Sequence, residues 1–174
     1  MGCSRPPACD PEQTLATPNF LAKIEGGNLM GWGTLFQVTD TARTLIAQCG
    51  SKGEWYGALD QLRVEEAPKC DAEDSIRFWG LALEGQPYPL SKLFLGDIHA
   101  DLDGASDPNV SFFGQATVRD VSQALDSNGR GFFEGLFTGK DHVDAGQIWF
   151  LEPLRDFFKD TSAKGLAVIA LWEC

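Results

Sequence analysis

The residues best suited to chemistry are a run of carboxylates around one imidazole, Asp97-Ile98-His99-Ala100-Asp101-Leu102-Asp103-Gly104. Three carboxylates and an imidazole this close together could hold a divalent cation, because hard cations take oxygen donors. Asp101-x-Asp103-Gly104 is similar to a fragment of a calcium loop. The rest of the EF-hand pattern is missing: Gly104 comes too early, and no Glu follows at the last ligand position. A solvated turn explains the same composition, and the unmet spacing favours it. Asp97, His99, Asp101 and Asp103 are the metal candidates that remain, and no resident cofactor is assigned.

The second imidazole, His142, sits in Lys140-Asp141-His142-Val143-Asp144 with carboxylates on both sides. Neighbouring carboxylates favour the charged imidazole. That serves a surface ion pair as well as it serves catalysis, and a joint site with His99 needs the two loops to meet. No Gly-x-Ser-x-Gly elbow, P-loop or dinucleotide fingerprint is present. Asn128-Gly129-Arg130-Gly131 follows a predicted helix rather than a strand, so it reads as a turn. Cys49, beside Gly50, has no flanking base to make it a nucleophile. No residue is assigned a catalytic role. Trp32, Trp55, Trp79, Trp149 and Trp172 are read as core or core-edge residues; exposed ones would mark a partner surface.

Composition narrows the partners. The 174 residues carry 14 Lys and Arg against 25 Asp and Glu, a net charge of -11. Such a surface repels phosphate, which argues against nucleic acid or an anionic membrane and leaves a basic protein or a cation. Plain solubility also accounts for it. The acids concentrate at Glu65–Asp74 and at 97–107, which makes Glu65, Glu66, Asp71, Glu73, Asp74 and Asp107 candidates for partner contact. The five cysteines (Cys3, Cys9, Cys49, Cys70, Cys174) form no Cys-x-x-Cys pair. They read as free thiols of a reducing cytoplasm, although Cys3 and Cys9 could pair. No signal-type run opens the chain, and no stretch nears the roughly 20 apolar residues of a membrane span. Met1-Gly2-Cys3 lacks the Ser or Thr that a myristoylation signal wants at position 6. A cytoplasmic location is expected.

The elements that must position these residues follow from periodicity. Met1–Pro18 is rich in Pro and small polar residues and reads as an extension without its own core, with Phe20–Ile24 able to dock on the body. Gly33–Val38 predicts a strand. Thr39 or Asp40 can cap a helix carrying Ala42, Leu45 and Ile46 on one face, with Gly50 as its stop. Helical spacing recurs over Glu54–Leu62 and over Ile76, Trp79, Gly80 and Leu83, where acids precede the run and Gly85 ends it. Pro87–Leu95 reads as one turn and 96–109 as a loop. Val110–Phe113 predicts a strand, and a helix opens at Thr117 with Thr117 as cap and Asp120 as its capping-box partner. Its buried stripe is Val118, Val121, Ala124 and Leu125. Residues 131–146 read as irregular. Gln147–Ala163 predicts the longest helix, with Ile148, Leu151, Leu154, Phe157 and Phe158 inward. Leu166–Trp172 is a nearly continuous apolar run, as expected of a central strand covered on both faces. The sum is an α+β fold: a single domain with a small mixed sheet, a nearly all-apolar C-terminal strand and several packing helices.

The order of these segments resembles the YfbM-like family, small bacterial proteins with a domain of unknown function. The resemblance rests on Met30-Gly31-Trp32-Gly33-Thr34-Leu35-Phe36-Gln37-Val38-Thr39, on Asp74–Gly85, on Pro89-Leu90 and Leu95-Gly96, on Gln115–Leu125, and on Leu151–Trp172 with Gly165 at its junction. It departs from that pattern at a shortened Ser51–Lys69 region and at an acidic Tyr-Pro segment with no counterpart near Lys140. The resemblance implies an α+β fold over residues 30–174, leaving residues 1–29 as an added arm, and it lends no catalytic residues.

Two functions follow as expectations. The first is a non-enzymatic acidic binding protein, of the immunity or antitoxin kind, that neutralises a partner protein, with no role for nucleic acid or membrane. The alternative is a metal-dependent enzyme or small-ligand binder that uses the Asp97–Asp103 loop.

Overall fold

The structure is a computed structural model that describes residues 32–42, 45, 48–49, 52–100, 109–138, 140 and 142–173. The proposed arm 1–29, with Cys3, Cys9 and the Phe20–Ile24 patch, lies outside these residues, as does Met30-Gly31.

The described chain forms five strands: β1 (Trp32–Val38), β2 (Lys69–Asp71), β3 (Ile98–Ala100), β4 (Asn109–Phe113) and β5 (Ala167–Glu173). Five α-helices accompany them: α1 (Lys52–Gln61), α2 (Ser75–Leu83), α3 (Gln115–Ser127), α4 (Arg130–Phe137) and α5 (Leu151–Ala163). The strand order is β2-β1-β5-β4-β3, so the apolar C-terminal strand is central as its composition predicts. Its two faces feed separate cores. Val168, Ala170 and Trp172 join Leu35 and Phe113 beneath the helices of one side. Ala167 and Ile169 join Phe36, Val38, Val110 and Phe112 on the other, where Ala42, Val64, Leu59 and Leu62 cover them. A strand with no solvent-facing side has no place for alternating polar residues.

The α+β class holds, but the sequence reading of a mixed sheet does not: every pairing is antiparallel. The reason lies between β4 and β5. A single crossover helix would make those strands parallel. Here α3 runs out and α5 runs back, packed against each other. Gln115 Nε2, at the start of α3, donates to the Gly165 carbonyl just past α5 (2.6 Å). The chain therefore re-enters the sheet at the end it left, with Phe113 opposite Val168.

Aromatic rings fill the helix-covered face. Trp79 is fully buried and meets Phe137 edge-on at 5.1 Å and Phe133 at 5.6 Å; Phe113 and Phe158 cross at 6.0 Å. Such rings favour edge-to-face contact because the ring face is electron-rich and the edge is not.

Several local expectations change. Gln147 does not begin the last α-helix: Ala145–Phe150 is a 3-10 segment and α5 starts at Leu151. Pro153 sets that boundary, because a proline has no N–H to give and is tolerated only in the first turn. Residues 131–137, part of the stretch read as irregular, belong to α4. The 96–109 stretch contains β3. In the 41–50 region Ala42 is buried but Leu45 is exposed, while Ile46 and Gly50 lie outside the described residues.

The start of α3 also differs. The helix opens at Gln115 after Gly114, and Thr117 is not its cap. Asp97 closes this end from a distance: its Oδ2 accepts from Gly114 N (2.7 Å) and its Oδ1 from the Thr117 hydroxyl (2.6 Å). A capping-box carboxylate does the same job three residues into its own helix; here it comes from the preceding segment. Gly96 makes this approach possible. Its φ is +59°, and a Cβ there would sit 2.3 Å from the Phe112 carbonyl oxygen. Asp97 N then donates to that same oxygen at 2.7 Å. Asp120, released from capping, accepts the Tyr88 hydroxyl.

Two helix C-termini are likewise closed by distant cations. Lys140 Nζ donates to the carbonyls of Leu81 (2.9 Å), Ala82 (3.1 Å) and Glu84 (3.3 Å) at the end of α2. Arg155 donates to those of Leu125 (3.0 Å) and Asn128 (2.6 Å) at the end of α3. Both satisfy orphan carbonyls at the negative end of the helix dipole.

Asp97→Ala leaves the Gly114 N–H without its acceptor. It is expected to cost about 1 kcal/mol, as loss of a local N-cap does. A lower urea midpoint at unchanged slope checks this; an unchanged midpoint contradicts it.

Candidate functional site

The segment 65–74 lies along the outer edge of the sheet, where β2 is the last strand beside β1. Only Cys70 of its three residues points inward; Lys69 and Asp71 are exposed. Charges on a short edge strand also discourage edge-to-edge pairing with another chain. The carboxylates here are unequal. Asp71 pairs with Lys69 (3.1 Å) and accepts the Thr34 hydroxyl (3.0 Å), and Glu66 pairs with Arg63. Exposed Glu73 and Asp74 have no ion pair or hydrogen bond among the described residues. Glu73 is held at a φ of +45°, and Asp74 stands at the N-cap of α2 without bonding the helix through its side chain. Glu65 lies in the 3-10 turn Val64–Glu66.

Gln147 ties this edge to a second feature. Its Oε1 accepts from the Ser75 hydroxyl (2.6 Å), directly after Asp74, and from the indole Nε1 of Trp149 (3.2 Å). Its backbone carbonyl accepts Trp79 Nε1 (3.0 Å) from within the core. Its Nε2 reaches Asp144 Oδ2 at 3.5 Å, while Asp144 Oδ1 accepts Gly146 N at 2.8 Å and caps the 3-10 segment. Trp149 is thus held at the start of α2, edge-on to fully buried Phe150 at 5.6 Å, yet 49% of its surface is exposed. The core-edge assignment made from sequence understates this exposure.

The other sequence candidates are dispersed. Both Asp97 oxygens are engaged by the α3 start. His99 sits in β3 opposite Ser111. Asp101, Asp103 and Asp107 lie outside the described residues. His142 is exposed at a φ of +70°, in the segment anchored by Lys140. Among the described residues no hydrogen bond joins the 97–99 and 140–144 segments, and no group of three or more His, Cys, Asp or Glu gathers as a metal site would need. No helix among them is long and apolar enough to cross a membrane. The Tyr88 hydroxyl holds its proton above the ordinary tyrosine range, chiefly because Asp120 accepts it.

Among solved structures, the chain is similar to one described as a protein of unknown function, YfbM from Escherichia coli. The two overlay with a TM-score of 0.59 over 81% of this chain and 99% of that one, at 13% identity. The chain has a YfbM-like fold. At this identity the likeness is one of architecture and carries no site across. A comparison with protein-family models returns no match, and a comparison with curated proteins returns none. The YfbM-like architecture thus supplies the frame.

Of the two described cysteines, neither is bridged. Burial pushes the Cys70 thiol up to about 12, with the Asp71 charge adding to it. A thiol that resists ionisation is a poor nucleophile. Cys70 is expected to resist maleimide in the native protein and to react once urea unfolds it. Because its folded pKa is raised, the stability it contributes is present below about 9, its ordinary value, and fades as pH climbs toward 12. Native labelling of Cys70 as fast as in urea contradicts this.

Proposed function

We propose that this chain is a non-enzymatic acidic binding protein, of the immunity or antitoxin kind, that neutralises a basic partner protein. The observation that supports it is the exposed acidic edge beside β2. Glu66, Asp71, Glu73 and Asp74 are all exposed there, and among the described residues the only cations paired with them are Arg63 and Lys69. The excess is local as well as global, on a chain of net charge -11. A patch with a net excess of one sign raises the encounter rate with an oppositely charged surface and disfavours wrong partners by like-charge repulsion. Inhibition by occlusion needs only such a surface and no reacting group. A cytoplasmic location belongs to the same proposal.

The test starts with affinity capture from the source organism, followed by binding kinetics with the captured protein. The reading predicts a basic partner whose association slows about tenfold or more as salt is raised. The variant Glu66→Gln/Glu73→Gln/Asp74→Asn should slow association in the same direction at low salt. A partner whose association is indifferent to both salt and the triple variant contradicts the reading.

A further inference from the structure

We propose that Trp149, with Glu73 and Asp74, forms the subsite that takes a lysine or arginine side chain of the partner. This inference rests on the acidic binding reading above and names where on that surface the contact is made.

The Trp149 indole leaves 49% of its surface in water and so forgoes burial that a core offers nearby. It is nonetheless ordered at both ends: Gln147 accepts its N–H, and Phe150 backs its ring. A large aromatic presented without rotamer freedom to lose is the usual anchor of an interface. Trp79, bonded to the same glutamine through its carbonyl, shows the contrast: there the indole is wholly buried.

The occupant follows from charge. Ser75 and Trp149 share one acceptor oxygen, so the indole lies beside the first turn of α2. The two residues immediately before Ser75 are exposed carboxylates that have no side-chain partner among the described residues, Glu73 and Asp74. Asp144, on the other side of Gln147, adds a third negative charge. An electron-rich ring face bordered by carboxylates attracts a cation and repels an anion. Arginine or lysine also lays its apolar stem along the ring while its head meets the carboxylates. A purely apolar partner residue would leave Glu73 and Asp74 desolvated without compensation.

The test uses a lysine-rich peptide and a glutamate-rich control of equal length, titrated at low salt against the full chain. Trp149→Ala is expected to weaken the lysine-rich peptide about three- to fivefold, the scale of an exposed cation–aromatic contact. Trp149→Phe, which keeps a ring, should retain most of the affinity, and the Trp149 indole N–H resonance should shift on titration. Unchanged far-UV circular dichroism keeps Trp149→Ala interpretable. If Glu66→Gln/Glu73→Gln/Asp74→Asn weakens binding and Trp149→Ala does not, the subsite is wrong and the acidic-edge reading survives. If neither variant weakens binding, or the two peptides bind alike, both fail.

Discussion

The structure is built around β5, a strand that must be covered on both faces. Its run Ala167–Trp172 offers nothing for water to solvate, so each face needs its own layer. One layer is α2 to α5; the other is the helical region before β2. The antiparallel sheet follows from the same demand. Packing α3 against α5 over one face returns the chain to the end of the sheet it left.

Covering a sheet with short helices leaves many helix ends near the core, and their backbone groups must still be satisfied. In this chain the partners come largely from elsewhere in the sequence. Asp97 closes the start of α3, Lys140 the end of α2 and Arg155 the end of α3. These bonds also fix connecting segments that have little core of their own. Asp97, conspicuous in sequence as a candidate ligand, owes its position to the tight passage of Gly96 past Phe112.

What could be read in advance tracks the range of the physics. The apolar run of β5 and the stripes of α2 and α3 depend on local periodicity, and they were legible. Thr117 looked like a cap because its chain neighbours suit one, whereas the carboxylate that closes the helix lies 17 residues before Gly114, among charges that looked like a loop. β3 was hidden in that same polar stretch, and α4 was hidden by its glycines. Pro153 was a visible signal that the last α-helix starts late. Its consequence is that Trp149 lies in the 3-10 segment before α5, where it is half exposed. The acidic edge was legible as composition. Its pairing with an exposed indole was not, because Gln147 makes that link across 72 residues of sequence from Ser75.

The central claim is that the acidic edge and Trp149 together are the binding surface. Zero-length carboxylate-to-amine cross-linking of the native complex, mapped by mass spectrometry, tests it most directly. The account predicts bonds from Glu66, Glu73 or Asp74 to lysines of the partner. Cross-links confined to carboxylates on other faces, such as Asp126 or Asp156, would contradict it.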